Sequence, residues 1–232
     1  VLFRNAHVVP GLRATLEACD RHGAELLVDA YHALNAIDWT LPGEGLEGAF
    51  AVGGGYKYCQ LGEGNCFLRV PPGRDMRPAI TGWFAEFATL EESTGSRVAY
   101  GEGPTRWAGA TYDPTSHYRA AAVLDFFDDA GLTPELLRRV SRHQVGLLAE
   151  RFDALDLDPS VIDRDRSVSL EGIAGFLALR SPRAGELRRQ LRERGVHCDH
   201  RDDVLRLGPA PYLHDGQLEA AMEALGEAAT GP

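Results

Sequence analysis

Length, composition and charge place this chain among globular proteins with a full hydrophobic core. It has 232 residues, of which 44% are apolar, and this predicts one or two domains. A formal net charge of −10, without any basic run, argues against a nucleic-acid partner. No stretch approaches the roughly 20 apolar residues of a membrane span. The four cysteines lack CxxC spacing and indicate reduced thiols of a cytoplasmic protein rather than disulfides or a metal site.

The first 29 residues predict a strand, a helix and a second strand. Residues 1–3 are β-prone but start without a cap or turn, as the middle of a strand would. Apolar residues recur at helical spacing from Leu12 to Cys19, and Gly23 closes that helix. Residues 25–29 predict a short strand of a parallel sheet that is covered on both faces. An α/β protein rarely begins this way, so we expect the chain to be the later part of a longer one.

Lys57 stands between two tyrosines and follows three consecutive glycines. Residues 53–55 therefore predict positive φ and a close approach of the backbone to something bulky. The apolar side chains expected around the amine are Val52, Tyr56, Tyr58 and Leu61. A partly desolvated lysine acts as nucleophile and base, and it forms Schiff bases with carbonyls, above all with pyridoxal phosphate. The alternative is an ordinary exposed lysine in a glycine-rich loop.

An acid and a histidine follow the second predicted strand at its carboxyl end, where ligands of parallel sheets bind. We expect Asp29 to be buried and able to pair with a protonated pyridine nitrogen, which keeps such a ring electron-accepting. His32 could hold the ring hydroxyl or orient the acid. The alternative is that Asp29 caps the following turn and that His32 is a surface residue beside it.

The pattern changes along the second half of the chain. A helix is predicted at 116–130, and Thr133 with Pro134 opens a long helix as its cap and first residue. Strands and helices are then predicted, in the order strand, strand, helix, strand, strand, helix, at 161–162, 173–179, 184–194, 196–198, 204–207 and 217–228. This order is typical of a small α+β domain, so we predict domains at 1–130 and 131–232.

Three more side chains are candidates for binding. Arg206 ends a strand before a proline-rich turn, and a guanidinium can pair bidentately with a carboxylate. The alternative is an arginine on an edge strand in solvent. Trp83 could pack on a cofactor or a subunit interface, although core packing is the more frequent role of such residues. Thr111 could donate to a phosphate oxygen.

In this order the motifs resemble the aminotransferase class V superfamily of fold-type I pyridoxal phosphate enzymes, and within it the kynureninase-like branch. The motifs are Asp-x-x-His, Tyr-Lys-Tyr, Gly-Trp-Phe, Arg-Trp-x-Gly-x-Thr and a late Arg before Pro-x-Pro. The resemblance spans nearly the whole chain. It implies an α/β fold that comprises the C-terminal part of the large parallel or mixed-sheet domain and a small α+β domain. It also implies that an N-terminal portion, with the phosphate-binding loop, is missing here.

The resemblance implies pyridoxal 5'-phosphate as cofactor and gives each candidate a role. Lys57 would form the internal aldimine, Asp29 would pair with the pyridine nitrogen and His32 would lie close to the ring. Arg206 would bind the carboxylate of an amino-acid substrate.

The resemblance also implies a homodimer with shared active sites. Tyr56 would reach the phosphate, and Trp83 and Thr111 would complete the phosphate site of the neighbouring subunit. Thr111 stands where kynureninases carry an asparagine, and the turn after the lysine also departs from their pattern. The expected function is therefore an aminotransferase-like reaction, with kynureninase-type hydrolysis as the alternative. A cysteine desulfurase is less favoured because its His-Lys motif is absent. The alternative that is not an enzyme is a non-catalytic, truncated fold-type I protein.

Overall fold

The computed structural model describes residues 1, 5–91 and 99–231, so most of the strand predicted at 1–3 lies outside the described residues. The α-helices in this part are α1 (Leu12–Arg21), α2 (Thr115–Asp129), α3 (Pro134–Ala154), α4 (Ala184–Glu193) and α5 (Asp215–Thr230). The strands are β1 (Leu27–Asp29), β2 (Phe50–Gly54), β3 (Cys66–Arg69), β4 (Asp163–Arg164), β5 (Leu177–Arg180), β6 (Asp199–Arg201) and β7 (Val204–Leu207). Short 3-10 helices lie at Trp83–Thr89, Gly103–Trp107 and Leu170–Gly172.

The first sheet is mixed, as predicted, with the order β1-β2-β3. Strand β1 runs parallel to β2, and β2 runs antiparallel to β3. Helix α1 covers one face of this sheet because its Leu16 packs with Val28, Leu46 and Ala49. The predicted burial of β1 on both faces is wrong within the described residues, since Leu27 on the other face is 58% exposed.

The second sheet is antiparallel, with the order β4-β5-β7-β6, and carries the main hydrophobic core. Helices α3, α4 and α5 contribute Leu148, Leu187 and Leu225 to that core, against Leu179 and Leu205 of the sheet. The predicted element order is confirmed. Three predicted strands start late, however: β4 at residue 163, β5 at residue 177 and β6 at residue 199. The apolar residues just before β4 reflect core packing and not pairing, because Ile162 is buried in that core.

Two helix starts show how far local sequence rules hold. The Thr133 hydroxyl accepts a hydrogen bond from the N–H of Leu136 at 3.3 Å, and Pro134 is the first residue of α3, as predicted. Helix α2 also forms where expected. Of its apolar residues, Ala120 is buried, whereas Leu124 and Phe126 are exposed, at 50% and 60%.

The N-terminal segment joins the two sheets. The N–H of Val8 donates to the carbonyl of Gly172 at 2.9 Å, and the N–H of Ala174 donates to the carbonyl of Ala6 at 3.1 Å. Ala174 also packs against the turn after β1, through Ala30 and Ala33. The loop before β5 therefore lies beside the carboxyl end of β1. The domain boundary at residue 130 stays a prediction. Within the described residues, no helix is both long and apolar enough to cross a membrane.

Candidate active site

A cavity of about 470 Å³ opens between the turn that follows β2 and the second sheet. Among its lining residues are three of the predicted site residues, namely His32, Lys57 and Arg206. They come from the turn after β1, the turn after β2 and the strand β7, so only the tertiary fold brings them together. The loop before β5 contributes Gly175 and Phe176 to the opposite wall.

The glycine run before Lys57 is required by close packing. A Cβ atom built on Gly53 would lie 2.5 Å from the ring of Phe67, and one on Gly54 would lie 2.4 Å from the ring of Tyr31. One on Gly55 would lie 2.4 Å from a methyl carbon of Leu61. The predicted close approach is therefore confirmed, but the bulky groups are side chains of the chain itself. The predicted positive φ is wrong for residues 53–55 and occurs further along, at Gln60, Gly62 and Gly64.

Lys57 is the only lysine in the whole sequence. Its side chain is partly buried, and its Nζ atom lies 4.7 Å from the centre of the Tyr56 ring. Among the described residues, it forms neither a hydrogen bond nor an ion pair, so the amine is available to a ligand. The arrangement differs from the ordinary exposed lysine that was the alternative.

Helix α2 fixes the turn that follows Lys57. The guanidinium of Arg119 donates to the carbonyl of Leu61 at 2.8 Å and to that of Glu63. The hydroxyl of Ser116 donates to the carbonyl of Gly64 at 3.1 Å. These bonds satisfy carbonyl groups of a glycine-rich turn that would otherwise be free to move.

His32 lies within electrostatic range of the other charged groups of the site. Burial lowers the pKa of its ring, and the nearby charges of Lys57 and Arg206 lower it further, while Asp29 acts in the opposite direction. The ring lies 6.4 Å from that of Phe176. A neutral imidazole therefore faces the cavity near neutral pH and can both donate and accept a hydrogen bond.

Arg206 is not the solvated edge-strand arginine of the alternative reading, because its side chain is only 16% exposed. The guanidinium carbon lies 5.4 Å from the centre of the Phe176 ring. The guanidinium also donates to Asp199, which stands opposite it on β6. Burial would raise the pKa of Asp199, but the hydrogen bonds from Arg206 and from the N–H of His200 lower it below its usual value. Asp199 is thus ionised near neutral pH.

Tyr58 is a cavity residue to which sequence reasoning gave only an apolar role. Burial raises the pKa of its phenol to about 12, against the opposing charge of Arg206. Its hydroxyl occupies the space over Gly175, where an added Cβ atom would lie 2.3 Å from it. No local signal could have found this, because Gly175 is remote in sequence. Cys198 also lines the cavity, but burial raises the pKa of its thiol to about 11, unlike that of a reactive thiolate.

Asp29 lies at the carboxyl end of β1, as predicted, but its side chain is exposed and does not line the cavity. One carboxylate oxygen accepts a hydrogen bond from the N–H of Tyr31 at 2.9 Å. The predicted burial of Asp29 is therefore wrong in the described structure, because the uncovered face of β1 leaves the carboxylate in solvent. The hydrogen bond from Tyr31 is instead the turn-capping contact of the alternative interpretation of Asp29.

Tyr56, Trp83 and Thr111 lie outside the cavity. The Tyr56 ring packs 5.9 Å from the ring of Tyr31. Trp83 is 46% exposed, with its ring 4.6 Å from that of Phe84. Thr111 is exposed as well.

The Gly-Trp-Phe and Arg-Trp-x-Gly-x-Thr motifs nevertheless form one unit. The hydroxyl of Thr81 donates to the carbonyl of Ala108 at 2.7 Å, and the N–H of Phe84 donates to the carbonyl of Gly109 at 3.1 Å. A Cβ atom on Gly82 would lie 2.3 Å from the backbone of Gly109, so only glycine allows this contact. The two motifs therefore depend on each other for their conformation.

Comparisons with known proteins give relatives at low identity. No family model matches the chain. A curated relative, the uncharacterized aminotransferase YcbU of Bacillus subtilis (strain 168), is 26% identical over 228 residues, which cover 96% of this chain and 56% of the relative.

Solved structures share the fold. A NifS-like protein superposes with a TM-score of 0.66 at 15% identity, over 96% of this chain and 57% of that one. Lysine aminotransferase from M. tuberculosis, in the internal aldimine form, superposes with a TM-score of 0.58 at 21% identity, over 94% of this chain and 44% of that one. The chain spans about half the length of these proteins. It therefore has the predicted fold, that of part of a fold-type I pyridoxal phosphate enzyme.

Proposed function

We propose that this chain belongs to a pyridoxal phosphate-dependent enzyme that acts on an amino acid, of the aminotransferase class V type. The observation that carries the proposal is that Lys57, His32 and Arg206 line one cavity. An unpaired amine suits an aldehyde, and a largely buried guanidinium suits a carboxylate. A relative named as an aminotransferase supports the same reaction class.

The side chains of the cavity fit the aldehyde end of the cofactor and the carboxylate end of an amino acid. Lys57 would bond to the aldehyde, and His32 would lie beside the ring. In this proposal, Asp29 pairs with the pyridine nitrogen from the carboxyl end of β1, although its side chain does not line the cavity.

The phosphate is assigned to residues outside the cavity. Tyr56 would reach the phosphate of its own subunit, whereas Trp83 and Thr111 would serve the neighbouring subunit of a homodimer. The mutual packing of the segments that carry Trp83 and Thr111 supports their acting together.

Pyridoxal phosphate, when bound, supplies an electron sink for a carbanion at the substrate Cα. Arg206 holds the substrate carboxylate, and this contact orients the Cα–H bond toward Lys57. Once the substrate amine had displaced Lys57 from the aldehyde, its Nζ atom would be free to accept the α-proton as general base. Tyr58, whose phenol stays protonated because its pKa is raised to about 12, can donate a hydrogen bond to the reacting groups but cannot act as a base near neutral pH.

Kynureninase-type hydrolysis is the second candidate. The presence of Tyr58 in the cavity favours it, because the cleavage of a Cβ–Cγ bond benefits from a donor to the γ-carbonyl. Incubation of the loaded protein with kynurenine, and separately with amino acids plus 2-oxo acids, distinguishes the two. Release of anthranilate supports the hydrolase, and amino transfer supports the aminotransferase.

Because Lys57 is the only lysine, one labelling experiment tests the proposal directly. Pyridoxal phosphate is added, the complex is reduced with borohydride, and the labelled peptide is identified by mass spectrometry. We expect a visible absorbance band and a label on Lys57, both lost in Lys57→Ala. A protein that stays colourless and unlabelled on that lysine would instead support the non-catalytic alternative.

A further inference from the structure

We propose that Asp199 is a positioning residue for the substrate carboxylate, because it fixes the guanidinium of Arg206 with its other N–H groups toward the cavity. The inference rests on the proposed function, in which Arg206 binds that carboxylate. Asp199, Arg206 and Phe176 all line the cavity, so the pair lies where a substrate would enter.

The pairing of strands sets the two side chains against each other. Asp199 on β6 stands directly opposite Arg206 on β7 in the antiparallel register. Directly opposed residues of an antiparallel pair have neighbouring side chains on the same face of the sheet. The contact therefore follows from the backbone and does not depend on a chance meeting of two long side chains.

The Asp199 carboxylate is itself held in place. Its Oδ1 atom accepts a hydrogen bond from the N–H of His200 at 2.7 Å, and its Oδ2 atom accepts from the Nη2 atom of Arg206. Arg201 lies further away, with a nitrogen 3.9 Å from Oδ2. An acceptor that is tied to the backbone can impose one orientation on the guanidinium.

The guanidinium keeps donors for a ligand. Asp199 is the only hydrogen-bonding partner of the Arg206 side chain within the part of the chain that the structure describes. A guanidinium has five N–H groups in a planar fork, and the ring of Phe176 supports this fork from one side. The remaining donors are thus free to bind a carboxylate in the cavity.

Removal of the Asp199 carboxylate should weaken substrate binding rather than the stability of the fold. The Asp199 side chain is 50% exposed, and ion pairs with an exposed partner contribute little to stability. A freed arginine side chain, however, must lose its rotamer freedom each time a substrate binds, and this ordering weakens affinity.

The first test measures binding of L-alanine and of L-alaninamide, which lacks the carboxylate, by spectral titration of the cofactor-loaded protein. In Asp199→Ala, loss of about 1 kcal/mol of ordering predicts a dissociation constant for L-alanine raised about fivefold, with the constant for the amide unchanged. A matching rise in KM with kcat unchanged is expected. Asp199→Asn keeps an acceptor and should restore affinity to within about twofold of the original.

A second variant separates failure of this inference from failure of the proposed function. In an Arg206→Gln background, Asp199→Ala should cause no further loss. The inference is overturned if Asp199→Ala binds L-alanine as the original protein does, if both ligands weaken equally, or if the loss persists beside Arg206→Gln. If Arg206→Gln alone leaves the preference for L-alanine over its amide unchanged, the carboxylate role of Arg206 fails, and the inference fails with it.

A cofactor-free measurement tests the anchoring itself. Nitrogen-15 NMR reports the side-chain N–H signals of arginine, and the signal of Arg206 is the one absent from Arg206→Gln. We expect a sharp signal in the original protein and in Asp199→Asn, and a broadened one in Asp199→Ala. Identical signals in all three would show that Asp199 does not order the guanidinium.

Discussion

Gly175→Ala tests whether the cavity wall depends on one missing methyl group. Gly175 is buried, with φ of +81°, and the hydroxyl of Tyr58 occupies the place of its Cβ atom. An alanine there must adopt a left-handed backbone and must also displace a buried ring. Gly195 provides a matched control, since its φ is +80° and nothing lies within 4 Å of its added Cβ atom.

The two variants separate backbone strain from the clash. Gly195→Ala should lower the free energy of unfolding by about 1–2 kcal/mol, the cost of the left-handed region for a residue with a Cβ atom. Gly175→Ala should lower the free energy of unfolding by the same backbone cost plus about 1–3 kcal/mol for overpacking against Tyr58. The difference between the two variants is therefore about 1–3 kcal/mol, and it belongs to the contact with Tyr58.

Urea unfolding of both variants, at equal slope, measures these losses. Displacement of Tyr58 should also weaken the binding of L-alanine in Gly175→Ala and leave it unchanged in Gly195→Ala. A Tyr58→Ala background removes the clash, so Gly175→Ala should there lose no more than Gly195→Ala does. Equal losses for the two glycine variants in the original background would refute the reasoning.

Three other variants test the core and the charge of the site. Leu205→Ala should lower the free energy of unfolding by about 2–5 kcal/mol, because the side chain is fully buried, whereas Leu68→Ala, at a 42% exposed position, should change it by less than about 0.5 kcal/mol. Similar losses would contradict the assignment of the core. His32→Gln should reduce the loss of stability on acidification. The folded ring has a lowered pKa, so below the unfolded value of 6.5 the unfolded chain binds more protons, and stability falls as pH falls. Thermal unfolding at several pH values measures how steeply stability falls with pH. An unchanged pH dependence in His32→Gln would exclude His32 as its source.

Local sequence determined most of the secondary structure. The start of α3 followed from Thr133 and Pro134, because a cap and a fixed φ act within a single turn of helix. The order of strands and helices after α3 followed from periodicity in the same way, since each element buries one apolar side. The starts of β4, β5 and β6 were predicted too early, because an apolar residue such as Ile162 can enter the core from a turn as well as from a strand.

The site itself was only partly accessible to such reasoning. Lys57 was singled out as a candidate because it follows a glycine run, and the close contacts of residues 53–55 explain that run. The burial of Asp29 was mispredicted, because burial depends on what covers a strand and not on the residues of the strand.

The amino-acid sequence by itself determined the elements and their order, and it singled out the amine of Lys57 as a candidate, since these depend on interactions within a few residues. Tertiary structure alone decided that Arg206 and Lys57 line one cavity, and that Tyr58 rather than Tyr56 lines it with them. The physical reason is that neighbouring residues of a turn point in different directions. Tyr58 enters the cavity because its hydroxyl fits into the space over Gly175. Gly175 is distant in sequence, and only the fold brings it near.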